Sequence, residues 1–198
     1  MSDPGEALRR GDLVVLPTDT VYGLMCDADS EEAAARLYAL KGRDAIQPTA
    51  VVFPDVDSLF SRLRLLEAEH GPVLRALLPG PLTLVLPNPD RSYAWLNAER
   101  PDTIGVRVPV LRPHVAEAVR SVSAVVATSA NLPGGPDPRR LADVPAAILE
   151  GVSAALDGGT LPGVPSTVID LTGHEPEILR HGAADPAAAI ASIHAARR

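Results

Sequence analysis

The sequence predicts an α/β fold, in which a single layered domain over residues 1–198 contains a twisted mixed parallel and antiparallel sheet flanked by helices. Two observations favour this fold. Short apolar runs alternate with helical patterns from one end of the chain to the other, and no repeat, charge block or Gly/Ser linker interrupts them. Two small α+β lobes that meet near the proline-rich stretch 133–138 are the alternative.

The helices are predicted from their capping residues and from apolar residues that share one face. Asp3, Pro4 and Glu6 supply a cap, a first-turn proline and a capping-box acid, and Gly11 ends this first helix. Ser30 caps the second helix, in which the apolar positions recur at helical spacing. Further helices are predicted around Leu59, Leu63 and Leu66, and over 113–121, 144–150 and 186–196.

The strands are predicted from short apolar runs, which in this class of fold form the buried sheet. They cover 12–16, 49–53, 82–86, 104–108, 124–128, 152–156, 166–170 and 177–180. Polar clusters follow several of these strands, and residues 17–24 are interpreted as one such loop. Because ligands in open α/β folds collect at strand ends, the polar loops are predicted to line one pocket.

The composition excludes several classes of protein. A net charge of -7 and an aromatic content of 3% argue against a protein that coats nucleic acid or stacks bases. The single cysteine, Cys26, forms neither an internal disulfide nor a zinc cluster. The chain shows no secretory signal and no apolar run long enough for a membrane span, so we expect a soluble, cytoplasmic protein without membrane contact.

Common catalytic motifs are also missing from the sequence. It contains no phosphate-binding G-x-x-x-x-G-K-[ST] loop, no G-x-S-x-G nucleophile elbow, no H-E-x-x-H and no G-x-G-x-x-G. After these exclusions, the polar loops still contain cationic and hydroxyl-bearing side chains, which are suited to binding anions.

Three groups of polar residues are candidates for this anion site, and each also has a purely structural interpretation. Lys41, the one lysine of the chain, and Arg43 are predicted to point together from an extended segment after a helix, where they bind a polyphosphate or simply oppose the helix dipole. Ser129 and Asn131 follow an apolar run and donate to a ligand or form a turn; Ser166 has the same ambiguity.

Arg107 lies inside an apolar strand, where a buried guanidinium needs a negatively charged partner. This partner is either the carboxylate of a ligand or an internal acid such as Asp19 or Asp170. Arg180, at the end of another predicted strand, poses the same question.

Seven motifs follow one another in the order found in a known family. They are Pro17–Leu24 (PTDTVYGL), Lys41-Gly42-Arg43, Pro79-Gly80-Pro81-Leu82-Thr83, Gly105-Val106-Arg107, Thr128-Ser129-Ala130-Asn131, Ser166-Thr167-Val168 and Ile178-Leu179-Arg180. Together they resemble the YrdC family of threonylcarbamoyl-AMP synthases over about residues 8 to 182. Because the chain ends soon after these motifs, it is similar to the short-form members.

The resemblance implies a YrdC-like fold with a positively charged cavity. It also implies a nucleotidyltransferase that makes L-threonylcarbamoyl-AMP and pyrophosphate from L-threonine, bicarbonate and ATP. Mg²⁺ would accompany ATP. Downstream transferase proteins then modify tRNA, which the synthase itself could contact. By resemblance, Thr18, Arg107 and Ser166 bind threonine. The nucleotide would be bound by Lys41, Arg43, Thr103, Ser129, Asn131 and Arg180, of which Lys41 and Arg43 are the catalytic cations.

Several positions depart from the family pattern and leave two other functions open. Asp44 stands where proline is usual, Gln47 where asparagine is common, and Val52 where long-form members carry histidine. Asp137 and Arg139 replace small hydroxyl residues. The alternatives are a non-catalytic relative that binds RNA or nucleotide, and a carbamoyl-adenylate enzyme with a different acceptor.

Overall fold

The computed structural model describes residues 3–42 and 47–198. Its strands are β1 (Val14–Pro17), β2 (Tyr22–Asp27), β3 (Ala50–Val52), β4 (Leu82–Pro87), β5 (Thr103–Arg107), β6 (Val125–Ser129), β7 (Ala154–Ala155), β8 (Thr167–Asp170) and β9 (Glu177–Arg180). Its helices are α1 (Pro4–Arg9), α2 (Glu31–Lys41), α3 (Val56–Arg62), α4 (Arg64–Leu77), α5 (Pro113–Arg120), α6 (Ala146–Glu150) and α7 (Pro186–Ala196).

These strands form one mixed sheet in the order β7-β1-β2-β6-β3-β5-β4-β8-β9, which confirms the predicted fold class. The pairs β1–β7, β3–β5 and β4–β8 are parallel, and the other neighbours are antiparallel. Strands before and after 133–138 belong to the same sheet, so the two predicted lobes do not form separate sheets. The assignment of residues 1–198 to a single domain stays a prediction.

The sheet curls strongly, because residues that are far apart in strand order touch one another. Arg107 of β5 bonds to Asp19 in the turn between β1 and β2, although three strands separate β1 from β5. The amide of Gly163, ahead of β8, donates to the carbonyl oxygen of Thr20 in the same turn. The right-handed twist that accumulates over several strands produces such curvature. The curled sheet encloses a concave face.

The core has two parts, one on each side of the sheet. The larger cluster includes Leu37 of α2 and Leu74 of α4, and the smaller cluster includes Leu8 of α1 and Val119 of α5. Strand β1 contributes to both, since alternate side chains of a strand point to opposite faces. Val15 packs in the larger cluster, whereas Val14 and Leu16 pack in the smaller one.

The structure corrects the predicted elements at three places. Residues 17–24 were predicted as a loop, yet β2 begins at Tyr22, where it pairs with both β1 and β6. The helix predicted around Leu59, Leu63 and Leu66 is two helices, with Leu63 in a non-helical conformation between α3 and α4. The strand predicted over 152–156 is shorter in the structure, where β7 has only two residues. Strand pairing decides the bounds of β2 and β7, and local pattern does not contain it.

Within the described ranges, no helix combines the length and the apolar character that crossing a membrane requires.

Candidate functional site

The concave face of the sheet contains a cavity of about 310 Å³, a volume that suits a small-molecule ligand. Strands β2 to β6, β8 and β9 and the turn after β1 contribute to its walls. Five of the predicted site residues line it: Thr18, Arg107, Ser129, Ser166 and Arg180. The topology therefore brings together residues that are far apart in sequence, from Thr18 to Arg180.

Arg107 has an internal acidic partner, and the partner is Asp19. Its Nη2 donates to Asp19 Oδ1 at 2.6 Å and to Thr20 Oγ1 at 2.7 Å. Asp170, the other candidate, instead accepts from Arg100 at 3.2 Å. Among the described residues, the buried Nε of Arg107 has no hydrogen-bond partner. An unpaired buried N–H costs free energy, so the protein does not fully satisfy this guanidinium.

Thr18 holds the turn that faces Arg107. Its Oγ1 donates to the carbonyl oxygen of Val21 at 2.8 Å and accepts from the amides of Thr20 and Val21 at 3.2 and 3.3 Å. A hydroxyl group that binds its own backbone in this way stabilises a tight turn. The turn therefore keeps Thr18 and Asp19 fixed at the cavity wall.

Arg180 binds the loop that carries Ser166. Its Nε and Nη2 donate to the Ser166 carbonyl oxygen at 3.1 and 2.9 Å, and Nη2 also donates to Ser166 Oγ at 3.1 Å. Ser166 Oγ lies 2.8 Å from Thr83 Oγ1. Either hydroxyl group can be the donor of this bond, because a hydroxyl oxygen has two acceptor sites. Thr83 is a cavity residue that the site prediction omitted.

Two guanidinium groups, those of Arg107 and Arg180, influence each other at the cavity. Burial lowers the pKa of Arg180, the nearby carboxylate of Asp137 raises it, and the positive charge of Arg107 lowers it again. Asp137 lines the same cavity. Two guanidinium groups that repel each other across a partly buried space favour an anionic occupant.

Lys41 is a helix residue, which corrects the prediction of an extended segment. Helix α2 extends through Lys41 and ends at Gly42, whose φ of 64° is readily adopted by glycine. The buried ammonium donates to Ser129 O at 2.5 Å, Asn131 O at 2.8 Å and Asn131 Oδ1 at 2.7 Å. Lys41 thus fixes the loop that follows β6. Arg43, its predicted partner, lies outside the described residues.

The loop after β6 is also held by its own side chains. Ser129 Oγ donates to Asn131 Oδ1 at 2.7 Å, and Asn131 Nδ2 donates to Gly135 O at 2.7 Å. Ser129 lines the cavity, whereas the amide of Asn131 is engaged within the loop. The structural interpretation of this pair therefore holds for Asn131, and the ligand-binding role of both residues stays a prediction.

Thr103 is buried, and its hydroxyl group serves a neighbouring side chain. Thr103 Oγ1 donates to Arg100 O at 2.9 Å and accepts from Asn97 Nδ2 at 2.7 Å. Asn97 lines the cavity, but the sequence contains no motif that indicates it. The predicted contact of Thr103 with a nucleotide stays a prediction.

The departures from the family pattern have different positions in the structure. Val52 and Asp137 line the cavity, so they can affect what binds there. Gln47 and Arg139 are exposed, and Arg139 Nε donates to Leu161 O at 3.2 Å. Asp44 falls outside the described part of the chain.

Gly182 lets the chain pass directly over the Ser166 loop, which predicts a large effect for Gly182→Ala. An added Cβ would overlap the carbonyl oxygen of Pro165 and the backbone of Ser166, so this cavity wall must move. We expect a loss of about 1–3 kcal/mol in the free energy of unfolding, measured by urea denaturation, together with weaker ligand binding.

Gly71→Ala is the matched control, because its Cβ would lie 3.7 Å from Glu67 Cγ in ordinary contact. A helical alanine there should stabilise α4 by up to about 1 kcal/mol. Equal stability and equal ligand binding in Gly182→Ala and the unmodified chain would contradict the role of this close approach.

The curled mixed sheet and the cationic, hydroxyl-rich cavity define an α/β protein with a small-molecule site for anionic ligands. A family model described as "Telomere recombination" (Sua5, YciO, YrdC) matches residues 6–182. The chain belongs to the Sua5/YciO/YrdC family.

Two curated relatives carry the name threonylcarbamoyl-AMP synthase. The chain is 38% identical over 180 residues to the one from Chromohalobacter salexigens, with coverage of 88% of this chain and 94% of that protein. It is 35% identical over 176 residues to the one from Pyrococcus abyssi, with coverage of 88% of this chain and 52% of that protein. The chain therefore spans nearly all of one relative and about half of the other.

A solved structure of P. abyssi Sua5, described as complexed with L-threonine, has the same fold. The TM-score is 0.78 at 33% sequence identity, over 90% of this chain and 52% of that one.

Proposed function

We propose that the chain is a threonylcarbamoyl-AMP synthase, a nucleotidyltransferase that joins L-threonine, bicarbonate and ATP. The observation that carries this proposal is the cavity, in which Arg107 and Arg180 face one space together with the hydroxyl groups of Thr18, Thr83 and Ser166. Such a site suits two anionic groups that must be brought together. Its relatives bear the same name, and one was solved with L-threonine.

The reaction requires positioning more than a protein nucleophile. The amine of threonine adds to the carbon of bicarbonate, which loses water to give a carbamate. An oxygen of the carbamate attacks the α-phosphorus of ATP, the bond to the bridging oxygen breaks, and pyrophosphate leaves. Both reactants are anions, so cationic groups that align them and screen their repulsion lower the barrier.

We assign the residue roles from the cavity lining together with the resemblance. Arg107 binds the carboxylate of threonine, while Thr18 and Ser166 contribute hydroxyl groups beside it. Ser129 and Arg180 contact the nucleotide, and Lys41 and Asn131 act on the same ligand through the loop that they hold. Arg43 and Thr103 are assigned to the nucleotide by resemblance.

Magnesium enters as part of the ATP substrate, because Mg²⁺ keeps water and phosphate ligands and needs few protein carboxylates. Asp137 fits this requirement, since it is a cavity acid beside Arg180, whereas Asp19 is engaged by Arg107. Among the described residues, no cluster of three or more His, Cys, Asp or Glu forms a site for a resident metal.

The product is an activated adenylate, so a transferase that carries its threonylcarbamoyl group to tRNA must act next. We place the reaction in the cytoplasm, where tRNA and the three substrates are available.

Pyrophosphate release tests the proposal directly. The assay contains ATP and Mg²⁺, with L-threonine and bicarbonate each present or omitted, and mass spectrometry identifies the adenylate. We expect release only when both are present. Folded protein that binds ATP and releases no pyrophosphate in any combination would exclude the synthase.

A synthase with a different amino-acid acceptor is the second candidate, and Val52 favours it. Val52 is a buried cavity residue that offers no polar group where long-form members have histidine. Pyrophosphate release that requires bicarbonate and an amino acid other than threonine would select this candidate.

A further inference from the structure

A row of three side chains crosses the concave face of the sheet from β8 to β5. Val168 of β8 pairs with Thr83 of β4. The next residue of β4, Leu84, pairs with Val106 of β5, so the same antiparallel register places Thr83 beside Arg107. Val168, Thr83 and Arg107 all line the cavity and are all partly buried. Because opposite side chains on one face of a sheet are about 5 Å apart, one small ligand can touch all three.

The hydroxyl group of Thr83 can bind a ligand in addition to its protein partner. Among the described residues, Thr83 Oγ1 forms one hydrogen bond, which joins it to Ser166 Oγ at 2.8 Å. A hydroxyl group has one proton and two acceptor lone pairs. Whichever of the two groups donates, Thr83 Oγ1 therefore retains a lone pair that can accept from the hydroxyl group of a ligand.

Val168 makes the wall beside this hydroxyl group apolar. Its side chain is half-buried at the cavity, next to Thr83 in the register. Val85, two residues after Thr83 on the same face of β4, is a further apolar cavity residue. The wall beside Arg107 therefore consists of a hydroxyl group with an apolar surface at its edge.

The side chain of threonine carries a hydroxyl group and a methyl group on one carbon atom. This carbon is bonded to the same α-carbon as the carboxylate, so both groups must lie close to whatever binds the carboxylate. From the row of side chains we infer that Thr83 and Val168 form the side-chain subsite of the amino-acid substrate. Thr83 Oγ1 accepts from the β-hydroxyl group, and Val168 contacts the methyl group. The inference rests on the proposed function, because it takes Arg107 as the partner of the threonine carboxylate.

Binding of related amino acids to the full chain tests this assignment without requiring turnover. Calorimetry in the presence of ATP, in bicarbonate-free buffer, compares L-threonine with L-serine and L-valine. L-Serine lacks the methyl group, and L-valine has a methyl group in place of the hydroxyl group. We expect the unmodified protein to bind L-serine and L-valine each about tenfold more weakly than L-threonine.

Two substitutions should each remove one of these preferences. Val168→Ala should remove the preference for threonine over serine and keep the preference over valine. Thr83→Val, which keeps the shape of the side chain, should do the reverse, and Thr83→Ser should retain the preference over valine. A purely structural role of Thr83 would instead change all three affinities by the same factor.

Ile169→Val is the matched control for the cavity variants. Ile169 follows Val168 in β8, but it packs in the larger core cluster on the opposite face of the sheet. This variant should unfold at a lower urea concentration and keep both preferences. Should a cavity variant fail to fold, the comparison of the three amino acids on the unmodified protein still decides.

The outcomes separate the inference from the proposed function. Equal binding of the three amino acids, with pyrophosphate release that still requires threonine, overturns the inference alone. An equal loss for all three in Thr83→Val also overturns it. Tighter binding of valine overturns it and favours the synthase with a different acceptor. A protein that binds ATP but none of these amino acids overturns the proposed function as well.

Discussion

Lys41→Ala is expected to reduce kcat/KM for adenylate formation about 100-fold and to destabilise the fold by about 3 kcal/mol. The reason for both effects is the same, since the buried ammonium donates to Ser129 O, Asn131 O and Asn131 Oδ1. Without it, three acceptors lose their donor and the loop after β6 moves. Urea denaturation and pyrophosphate release measure the two effects.

Arg120→Ala serves as the control for Lys41→Ala. Arg120 is the cation in the last turn of α5, as Lys41 is in α2, but its side chain is 53% exposed in a surface pair with Asp55. We expect the free energy of unfolding to change by less than about 1 kcal/mol and the turnover to stay normal. A Lys41→Ala protein with normal stability but no activity would show that the ammonium acts on the phosphates and is dispensable for the loop.

Arg107→Leu is expected to abolish detectable threonine binding and to cost about 3–5 kcal/mol of stability. The Arg107 and Asp19 side chains are 13% and 12% exposed, so removal of the guanidinium leaves Asp19 as an uncompensated buried charge. Arg107→Lys should not restore binding, because a point charge does not reproduce the fork that reaches both Asp19 and a ligand. Calorimetric titration with L-threonine in the presence of ATP gives the affinity.

A double variant separates the structural role of Arg107 from its ligand role. Arg107→Leu combined with Asp19→Asn removes both charges, so most of the stability should return while threonine binding stays lost. Arg100→Leu is the control outside the cavity, where the arginine is 52% exposed beside Asp170. Recovery of threonine binding in the double variant would exclude Arg107 as the carboxylate ligand.

Local sequence patterns predicted those parts of the fold that depend on short-range rules. The capping residues Asp3, Ser30 and Asp185 all accept the expected backbone amides, and β9 has its predicted bounds. Strand β2 could not be predicted this way, because its signal is the pairing with β1 and β6. Its sequence, with Tyr22-Gly23 after a polar turn, resembles a loop as closely as a strand.

The candidate site was predictable where a residue type is unusual for its position. A charged residue inside an apolar strand indicated Arg107, and the need for a counter-charge correctly included Asp19. Thr83 and Asn97 have ordinary residue types in ordinary places, so only their position at the cavity of the folded chain indicates them. Lys41 was placed after the end of a helix, whereas α2 continues through Lys41 and ends at Gly42, whose left-handed conformation caps it.

The curl of the sheet has a consequence for how function depends on chain integrity. Wall residues come from the turn after β1, near one end of the chain, and from β9, near the other. Bringing such distant segments together costs loop-closure entropy, which grows only slowly with the length of chain between them. No fragment shorter than this span contains all the wall residues, so a fragment that lacks either the turn after β1 or β9 should not bind the ligand.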